Sequence, residues 1–287
     1  MHTQSYLPHK ALSNLVQAYE LYETPVGHAS DGQLLFLPGF SQGMLFSFFA
    51  NKPALIHSGD KGHLALSSEQ LVASVTQVNK VSRINNISAI KVSFYPGALS
   101  ALYQKPLSAF AGLSVSLSEA LDPEIAVLRQ DLSNLTANTA RIDLIEKYLL
   151  NKLRGAKRYY PIYPALDEHL RSCGYNHSVP SIARKLALSE RDLNRKINQQ
   201  LGMPLARFRS IHRFNCSLEV LTQNHSMKLT KLAYQMDYSD QPHFNRDFKR
   251  FSGFSPAAFC SELKAKKIFS PFPKNNTSGN NIFLHRA

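Results

Sequence analysis

One amphipathic pattern occurs twice in this chain, about fifty residues apart, and the repeat constrains the fold more than any other feature. In the second copy, Phe244, Phe248 and Phe251 recur at the spacing of one helical face, and Gly253 follows as a helix stop. The offset between copies is 50 at the leading serines and 51 afterwards. The corresponding positions are Ser189, Leu193, Arg195, Gly202 and Phe208 in the first copy and Ser239, Phe244, Arg246, Gly253 and Phe259 in the second.

A second short apolar segment precedes each copy, and only a few residues separate the two segments. These segments contain Ile182, Ala183 and Leu186 in the first copy and Leu232, Ala233 and Met236 in the second. Two short helices joined by a tight turn are typical of a helix-turn-helix unit. Ser189 and Ser239 are the predicted N-caps, which places Pro242 at the third helical position, where its missing N–H has no helical acceptor.

The two copies also carry a family resemblance. SERDLNRKINQQLGMPLARF and DYSDQPHFNRDFKRFSGFSPAAF resemble the tandem helix-turn-helix domain of the AraC/XylS family of bacterial transcription regulators, over residues of about 175–263. Two positions depart from that pattern. Asp237 stands where the family usually has a turn glycine, so it must adopt a left-handed conformation or an adjusted turn. Pro242 replaces a small polar residue that can face DNA in relatives.

The resemblance implies sequence-specific binding of a double-stranded DNA operator through the polar faces of both units. Arg can pair bidentately with guanine, and Asn or Gln with adenine. The residues predicted to read bases are Arg191, Asn194 and Arg195 in the first unit and Gln241, His243 and Arg246 in the second. The residues predicted to bind phosphate are Lys196, Arg207, Lys249 and Arg250. A connecting helix from Leu205 to about Leu221 sets the spacing between units, with Phe208, Ile211, Leu218 and Leu221 on its apolar side.

Charge and composition favour the same kind of partner. The formal charge is +13 over 287 residues, and residues 175–270 carry 16 Lys and Arg against 7 Asp and Glu, whereas residues 1–174 carry 15 against 13. A polyanionic partner is indicated, although a basic balance alone fits a membrane surface equally. The chain lacks a signal-like N-terminus and a long apolar run, so we expect a cytoplasmic protein without a membrane segment. Its three widely spaced cysteines predict neither disulfides nor a metal site.

The N-terminal half has strand-like and then helix-like periodicity. Residues 33–37 and 44–49 are short apolar runs bounded by turn residues, and Ile90, Val92 and Phe94 alternate with polar residues as in a half-buried strand. Residues 125–135 and 142–149 have helical spacing. The pieces LFLPGF and IKVSFYPGAL weakly resemble the N-terminal domain of a subset of AraC-type regulators, which implies sensing, dimerisation or both. The acidic residue of the usual L-P-D-G turn is absent, since Gly39 follows Pro38.

These observations predict an α+β chain of two domains. A β-rich N-terminal domain with trailing helices is expected at 1–160 for effector sensing or dimerisation, and a linker helix at 161–174. An all-α domain of two helix-turn-helix units joined by a long helix is expected at 175–263. The tail 264–287, rich in Asn, Ser, Lys and Pro, is expected to be disordered.

Three functions remain open from the residues. The first is a transcription regulator, activator or repressor, with RNA polymerase, a small-molecule effector and a second copy of the chain as further partners. The second is an effector-binding or enzymatic N-terminal module with a nonspecific nucleic-acid tether, and the third is a protein-interaction module. The sequence contains no glycine-rich phosphate loop and no H-E-x-x-H, so no enzyme and no cofactor are predicted.

Overall fold

The computed structural model describes residues 2–23, 33–49, 55–57, 63–65, 68–82, 87–110, 115–155, 161–224, 226–264, 268–269 and 283–286. Within these residues an N-terminal part of strands followed by helices precedes a part built of helices. The predicted α+β fold, with a β-rich N-terminal region, trailing helices and two helix-turn-helix units on a long helix, is therefore confirmed.

The strands of the described residues form two antiparallel sheets. In chain order they are β1 (His2–Tyr6), β2 (Val16–Glu23), β3 (Gln33–Phe36), β4 (Gln42–Phe49), β5 (Leu55–His57), β6 (His63–Ala65), β7 (Glu69–Val72), β8 (Asn79–Ser82), β9 (Ile87–Phe94), β10 (Ile268–Phe269) and β11 (Phe283–Arg286). One sheet has the order β1-β2-β9-β4-β7, and the other has the order β10-β11-β3-β8-β5-β6. The strands predicted at residues 33–37, 44–49 and 90–94 are present as β3, β4 and β9.

The C-terminal tail departs from the expected disorder in two short segments. Strand β11 pairs antiparallel with β3, with Leu284 opposite Leu35, and β10 pairs with β11. The physical reason is the edge of the sheet at β3, whose backbone groups can hydrogen-bond an added strand whatever its composition. The expectation of disorder through the whole tail was therefore wrong for these segments.

The first sheet is buried on both faces at its central strands β2, β9 and β4. Tyr19, Phe46 and Val92 lie on an apolar face that packs into a core with the helices that follow. The opposite face carries Glu20 and Lys91, which are directly paired across β2 and β9 and form an ion pair of 3.3 Å. The alternation in β9 had predicted an exposed polar face. That prediction was wrong because the charge of Lys91 is compensated by Glu20, so the polar side can be buried too.

Among the described residues, four α-helices complete the N-terminal part: α1 (Ala98–Tyr103), α2 (Leu117–Ala120), α3 (Glu124–Ser133) and α4 (Asn138–Gly155). The two helices predicted from spacing at 125–135 and 142–149 correspond to α3 and α4. Ile125 and Ile145 are fully buried in the same core as the sheet. The helices thus cover the apolar face that the strands present.

The C-terminal part has seven helices within the described residues: α5 (Tyr163–Cys173), α6 (Val179–Lys185), α7 (Glu190–Leu201), α8 (Leu205–Gln223), α9 (Leu229–Gln235), α10 (Gln241–Ser252) and α11 (Pro256–Lys264). Pairs α6–α7 and α9–α10 are the two helix-turn-helix units, which we call unit 1 and unit 2. The long helix α8 lies between them and buries the predicted Phe208, Ile211, Leu218 and Leu221. Helix α5 is the predicted linker helix.

The N-terminal ends of α7 and α10, the second helices of the two units, are capped as expected with one correction. Ser189 caps α7 by accepting from the N–H of Asp192 at 3.0 Å, as predicted. In α10 the N-cap is Asp240, which accepts from the N–H of His243 at 2.6 Å, rather than Ser239. Pro242 is therefore the second helical residue and not the third. Adjacent Ser and Asp are both good caps, so sequence alone did not separate them.

Candidate nucleic-acid interface

Unit 1 presents a polar face opposite an aliphatic stripe. Leu193, Ile197 and Leu201 are fully buried on α7. The predicted readers Arg191, Asn194 and Arg195 are exposed on the other side. Two of them have local partners: Arg195 pairs with Asp192 at 2.9 Å, and the Asn194 side chain donates to the carbonyl of Glu190 at 3.0 Å.

Unit 2 has the same geometry on an aromatic core. Phe244 and Phe248 lie edge to face with ring centroids 5.6 Å apart, and Tyr238 meets Phe244 in the same way at 5.3 Å. The predicted reader Arg246 is exposed, and Gln241 and His243 are half-buried. The apolar stripe of α10 is therefore held by ring contacts, which contribute beyond the area they bury.

Neighbouring side chains orient two of the predicted readers in unit 2. Thr230 on α9 donates its hydroxyl hydrogen to the Gln241 side-chain oxygen, and Ser239 hydrogen-bonds His243 Nδ1 at 3.1 Å. Sequence reasoning missed both partners, because it considered only the reading helix itself. Within the described part of the chain, Arg246 and Arg191 have neither an ion pair nor a hydrogen-bonded side-chain partner.

The four predicted phosphate-binding residues are in different environments. Lys249 is exposed and Lys196 is half-buried. Arg250 pairs with Asp247 at 3.0 Å and lies 4.5 Å from the centre of the Phe251 ring. Arg207 donates to the backbone carbonyl of Thr76 in the N-terminal half, and burial lowers the pKa of its guanidinium. The structure therefore places Arg207 in an internal contact that the sequence had not predicted.

Both turns between the paired helices contain a non-glycine residue with positive φ. Ala187 in unit 1 has φ of 52° and Asp237 in unit 2 has φ of 54°. The left-handed turn expected for Asp237 is thus present. Its Oδ2 accepts a hydrogen bond from the N–H of Tyr175 at 2.6 Å.

Helix α8 connects to the rest of the domain through two successive residues that face different partners. His212 hydrogen-bonds Asp167 of α5 through Nε2 at 2.7 Å and Tyr175 through Nδ1 at 2.8 Å. Arg213 donates to Asp247 of α10 at 3.2 Å, and its guanidinium lies 3.8 Å from the centre of the Tyr238 ring. One helix therefore joins the linker helix on one side and unit 2 on another.

The His212–Asp167 pair is electrostatically tuned towards its charged form. Burial lowers the pKa of His212, but its hydrogen bonds to Asp167 and Cys216 outweigh burial and raise that pKa above its ordinary value. Burial raises the pKa of Asp167, while the hydrogen bonds from His212 and Arg171 hold it below its ordinary value. Both shifts favour an imidazolium–carboxylate pair between α5 and α8.

The N-terminal half reaches the C-terminal core through the turn between β3 and β4. Phe40 is 1% exposed and lies with its ring 4.5 Å from Phe208 and 5.6 Å from Tyr163. Gln42 donates its side-chain N–H to the carbonyl of Gln200 at 2.8 Å, at the C-terminal end of α7. Unit 1 is therefore docked directly against the N-terminal half. From the residues alone only the apolar character of Phe40 was apparent, and this long-range contact was not predicted.

The site has no sign of metal chemistry or of a membrane segment within the described residues. No group of three or more His, Cys, Asp or Glu side chains in those ranges is arranged to hold a metal ion. Cys173 is exposed and Cys216 and Cys260 are buried, and all three are free thiols. No helix in the described part is both long and apolar enough to cross a membrane.

Known proteins resemble the part of the chain that holds the two units. A family model for a helix-turn-helix domain matches residues 182–261. The arabinose operon regulatory protein of Escherichia coli (strain K12) is 27% identical over 134 residues, covering 44% of this chain and 45% of that protein. Its counterpart from Salmonella typhimurium (strain LT2) is 26% identical over 127 residues, covering 41% of this chain and 44% of that protein. The matches thus span less than half of these curated relatives.

Solved structures resemble the chain over different extents. The C-terminal domain of AraT, a response regulator from Geobacillus stearothermophilus, is 23% identical with a TM-score of 0.33, covering 37% of this chain and 88% of that domain. ToxT from Vibrio cholerae O395 is 12% identical with a TM-score of 0.42, covering 85% of this chain and 97% of that one.

Two helix-turn-helix units on one connecting helix, each with an exposed polar face on its second helix, define a tandem helix-turn-helix protein. The family model for a helix-turn-helix domain covers both units at residues 182–261. The relatives found by sequence are arabinose operon regulatory proteins. Over this domain the chain resembles the AraC/XylS family of transcription regulators.

Proposed function

We propose that this protein is a sequence-specific regulator of transcription that binds double-stranded DNA with α7 and α10 in two successive segments of the major groove. The observation that carries the proposal is that one helix, α8, connects the two units whose second helices, α7 and α10, have exposed polar faces. With 19 residues, α8 is about 28 Å long. One turn of B-form DNA spans about 34 Å, so α8 supports two reading helices about one turn apart.

The readers have the chemistry that the major groove requires. Arg195 and Arg246 occupy equivalent outward positions on α7 and α10, opposite Leu193 and Phe244. A guanidinium recognises guanine O6 and N7 bidentately. The amides of Asn194 and Gln241 suit adenine, and Arg191 and His243 add donors at the helix starts.

The remaining basic residues are proposed as phosphate contacts. Lys249 projects into solvent, and Lys196 is half-buried beside Arg195. Arg250 binds phosphate in competition with its ion pair to Asp247. Arg207 contributes to phosphate binding only if its contact with Thr76 opens, which makes it the weakest of the four. These contacts set affinity and salt dependence, whereas the base readers set preference.

We further propose the division of labour that the sequence predicted, with residues 1–160 as the regulatory part, 161–174 as linker, 175–263 as the DNA-binding part and 264–287 as a tail. The contacts of Phe40 and Gln42 with the C-terminal core support control through the N-terminal part. RNA polymerase in the cytoplasm, a small-molecule effector and a second copy of the chain are the further partners that such a regulator requires or accommodates.

The test is a salt titration of the full-length protein against a duplex selected by the protein from random sequences and against a scrambled duplex. Specific regulators bind their sites about 10³-fold or more tighter than other DNA. Lys249→Ala should weaken binding to both duplexes equally and reduce the salt slope by about one unit. A protein that shows the salt slope without preference between duplexes is a nonspecific tether, and one that shows neither is a protein-interaction module.

A further inference from the structure

Asp237 occupies a backbone position that its side chain does not favour. Its φ of 54° lies in the left-handed region, which carries steric strain for any residue with a Cβ atom. Ala187, at the equivalent turn of unit 1, has nearly the same φ of 52°. The two turns therefore share one strained conformation, and they differ in that Asp237 has a carboxylate.

That carboxylate reaches a different part of the domain. Asp237 Oδ2 accepts from the N–H of Tyr175 at 2.6 Å, and the two residues are far apart in the chain. The preceding Gly174 has φ of 85°, and a Cβ atom added there would overlap Asp237 Oδ2. The approach of the carboxylate thus depends on a glycine at residue 174.

The donor of this hydrogen bond, the N–H of Tyr175, is held next to the linker helix. Gly174 caps α5, with its N–H donating to the carbonyl of Leu170 at 3.1 Å. The hydroxyl of Tyr175 hydrogen-bonds His212, which in turn holds Asp167 of α5. Tyr175 is therefore held by its side chain on α8 and by its backbone on Asp237.

The Asp237 end is fixed to unit 2. Its carbonyl accepts from Arg213 at 3.4 Å, and the same guanidinium donates to Asp247 on α10 at 3.2 Å. The ring of Tyr238, the next residue, packs against Phe244 of α10. A shift of the turn at residue 237 must therefore shift the start of the second reading helix.

We propose that Asp237 is a positioning residue that holds unit 2 against the end of linker helix α5 and thereby sets the spacing at which the two reading helices meet DNA. The inference rests on the proposed DNA-reading function. Asp237 stands where the family usually has a turn glycine. Glycine would adopt this backbone conformation but has no side chain to accept the hydrogen bond from Tyr175, so it could not perform this role.

Three variants separate backbone strain from the hydrogen bond. Asp237→Gly relieves the strain and removes the acceptor, whereas Asp237→Asn keeps an acceptor and tolerates the left-handed region. Ala187→Gly is the matched control, because it relieves the same strain in unit 1 without removing a side-chain bond. All three are made in the full chain, and thermal unfolding confirms that each is folded.

The measurement is binding to a duplex selected by the wild-type protein and to the same duplex with one base pair inserted between the two segments. The insertion displaces the segments by about 3.4 Å along the axis. Asp237→Gly should lose about tenfold in affinity at the native spacing, the order expected for a lost hydrogen bond to a charged group, and much less on the inserted duplex. The loss of affinity that the inserted base pair causes, the insertion penalty, is then smaller for Asp237→Gly than for the wild-type protein. Asp237→Asn and Ala187→Gly should keep the wild-type penalty.

Asp237→Gly with an undiminished insertion penalty overturns the inference and leaves the proposed function intact. An equal loss by Ala187→Gly also overturns it, because the effect is then one of turn flexibility. A wild-type protein without any preferred duplex refutes the proposed function itself, and the positioning role with it.

Discussion

The two helix-turn-helix units have the same backbone plan but different supports. Unit 1 has an aliphatic stripe on α7 and is docked against the N-terminal half at Gln200, through Gln42. Unit 2 has an aromatic stripe on α10 and is held by Arg213 and Asp237, both within the C-terminal part. A repeated sequence pattern thus gives two readers of one shape whose environments differ.

The difference indicates how a signal can reach each reader. A change in the N-terminal half can act on unit 1 directly through Gln42, which hydrogen-bonds Gln200 of α7. Within the described residues its contacts reach unit 2 through α5 and α8. One route runs by way of His212, Tyr175 and Asp237, and another by way of Arg207, which binds Thr76 and lies over the Phe251 ring. Substitutions at these contacts should therefore affect the two units to different extents.

The largest expected effect is that of removing Phe40. Phe40→Ala should cost about 3–5 kcal/mol of unfolding free energy, as for other fully buried phenylalanines. Hydrogen exchange should then increase in α7 and α5 more than in α10. Phe248→Ala, of similar cost, is the matched variant and should reverse that order. If hydrogen exchange in Phe40→Ala increases equally in α7 and α10, the two units are not held by separate contacts.

The next effect concerns the His212–Asp167 pair. Because the pKa of His212 is raised in the fold, its contribution is fully present below the unfolded value of 6.5 and is lost as pH rises through the folded pKa. The lowered pKa of Asp167 gives a contribution that is present above 3.8 and is lost as pH falls through its folded pKa.

His212→Gln should therefore lose about 1.5–3 kcal/mol near pH 6, the range for hydrogen bonds to charged groups, and less near pH 8. Denaturant unfolding across this pH range measures the difference. Arg213→Gln, on the side of unit 2, serves as the control and should lose stability by the same amount at both pH values. If the stability advantage of the wild-type protein over His212→Gln is larger at pH 8 than at pH 6, the pKa of His212 is not raised in the fold.

The third effect separates the two arginine readers. Arg246→Ala should cost about 2 kcal/mol on the selected duplex, within the range for bidentate base contacts. Arg195→Ala should cost about 1 kcal/mol, because Arg195 must first give up its ion pair with Asp192, and exposed pairs contribute up to about 1 kcal/mol. Equilibrium binding to selected and scrambled duplexes gives both values. If each variant loses the same affinity for the selected and the scrambled duplex, the arginines contribute charge to DNA binding but do not read bases.

The smallest effect is that of Ala187→Gly. Relief of the left-handed strain outweighs the added chain entropy of glycine, so thermal unfolding should show a gain of about 0.5 kcal/mol. Asp237→Gly gains the same relief but loses the bond to Tyr175, so it should be less stable than Ala187→Gly. A destabilised Ala187→Gly means that the turn of unit 1 is not strained.

Sequence patterns predicted the parts of the structure that depend on neighbours along the chain. The stripe of Phe244, Phe248 and Phe251 and the cap at Ser189 follow from local periodicity and capping, and both are present. The cap at Asp240 was missed by one residue because two good capping residues are adjacent. The predicted base readers remain predictions, although all six are at least partly exposed on the expected helices.

Long-range contacts were beyond the sequence patterns for a physical reason. The insertion of Phe40 beside Phe208, the bond from Arg207 to Thr76 and the pairing of Leu284 with Leu35 join segments with no shared periodicity. The burial of Lys91 depends on a cross-strand partner, Glu20, that the alternation of a single strand does not reveal. Such contacts arise from the tertiary fold alone.

Selection of duplexes from a random pool by the full-length protein tests whether both units read DNA. If both units read DNA, the recovered sequences will share two enriched segments whose centres lie about 10 base pairs apart. Repeating the selection with Arg195→Ala and with Arg246→Ala should relax one segment each, and a different one in each case. A single enriched segment, or two that both relax with either variant, contradicts reading by two separate units.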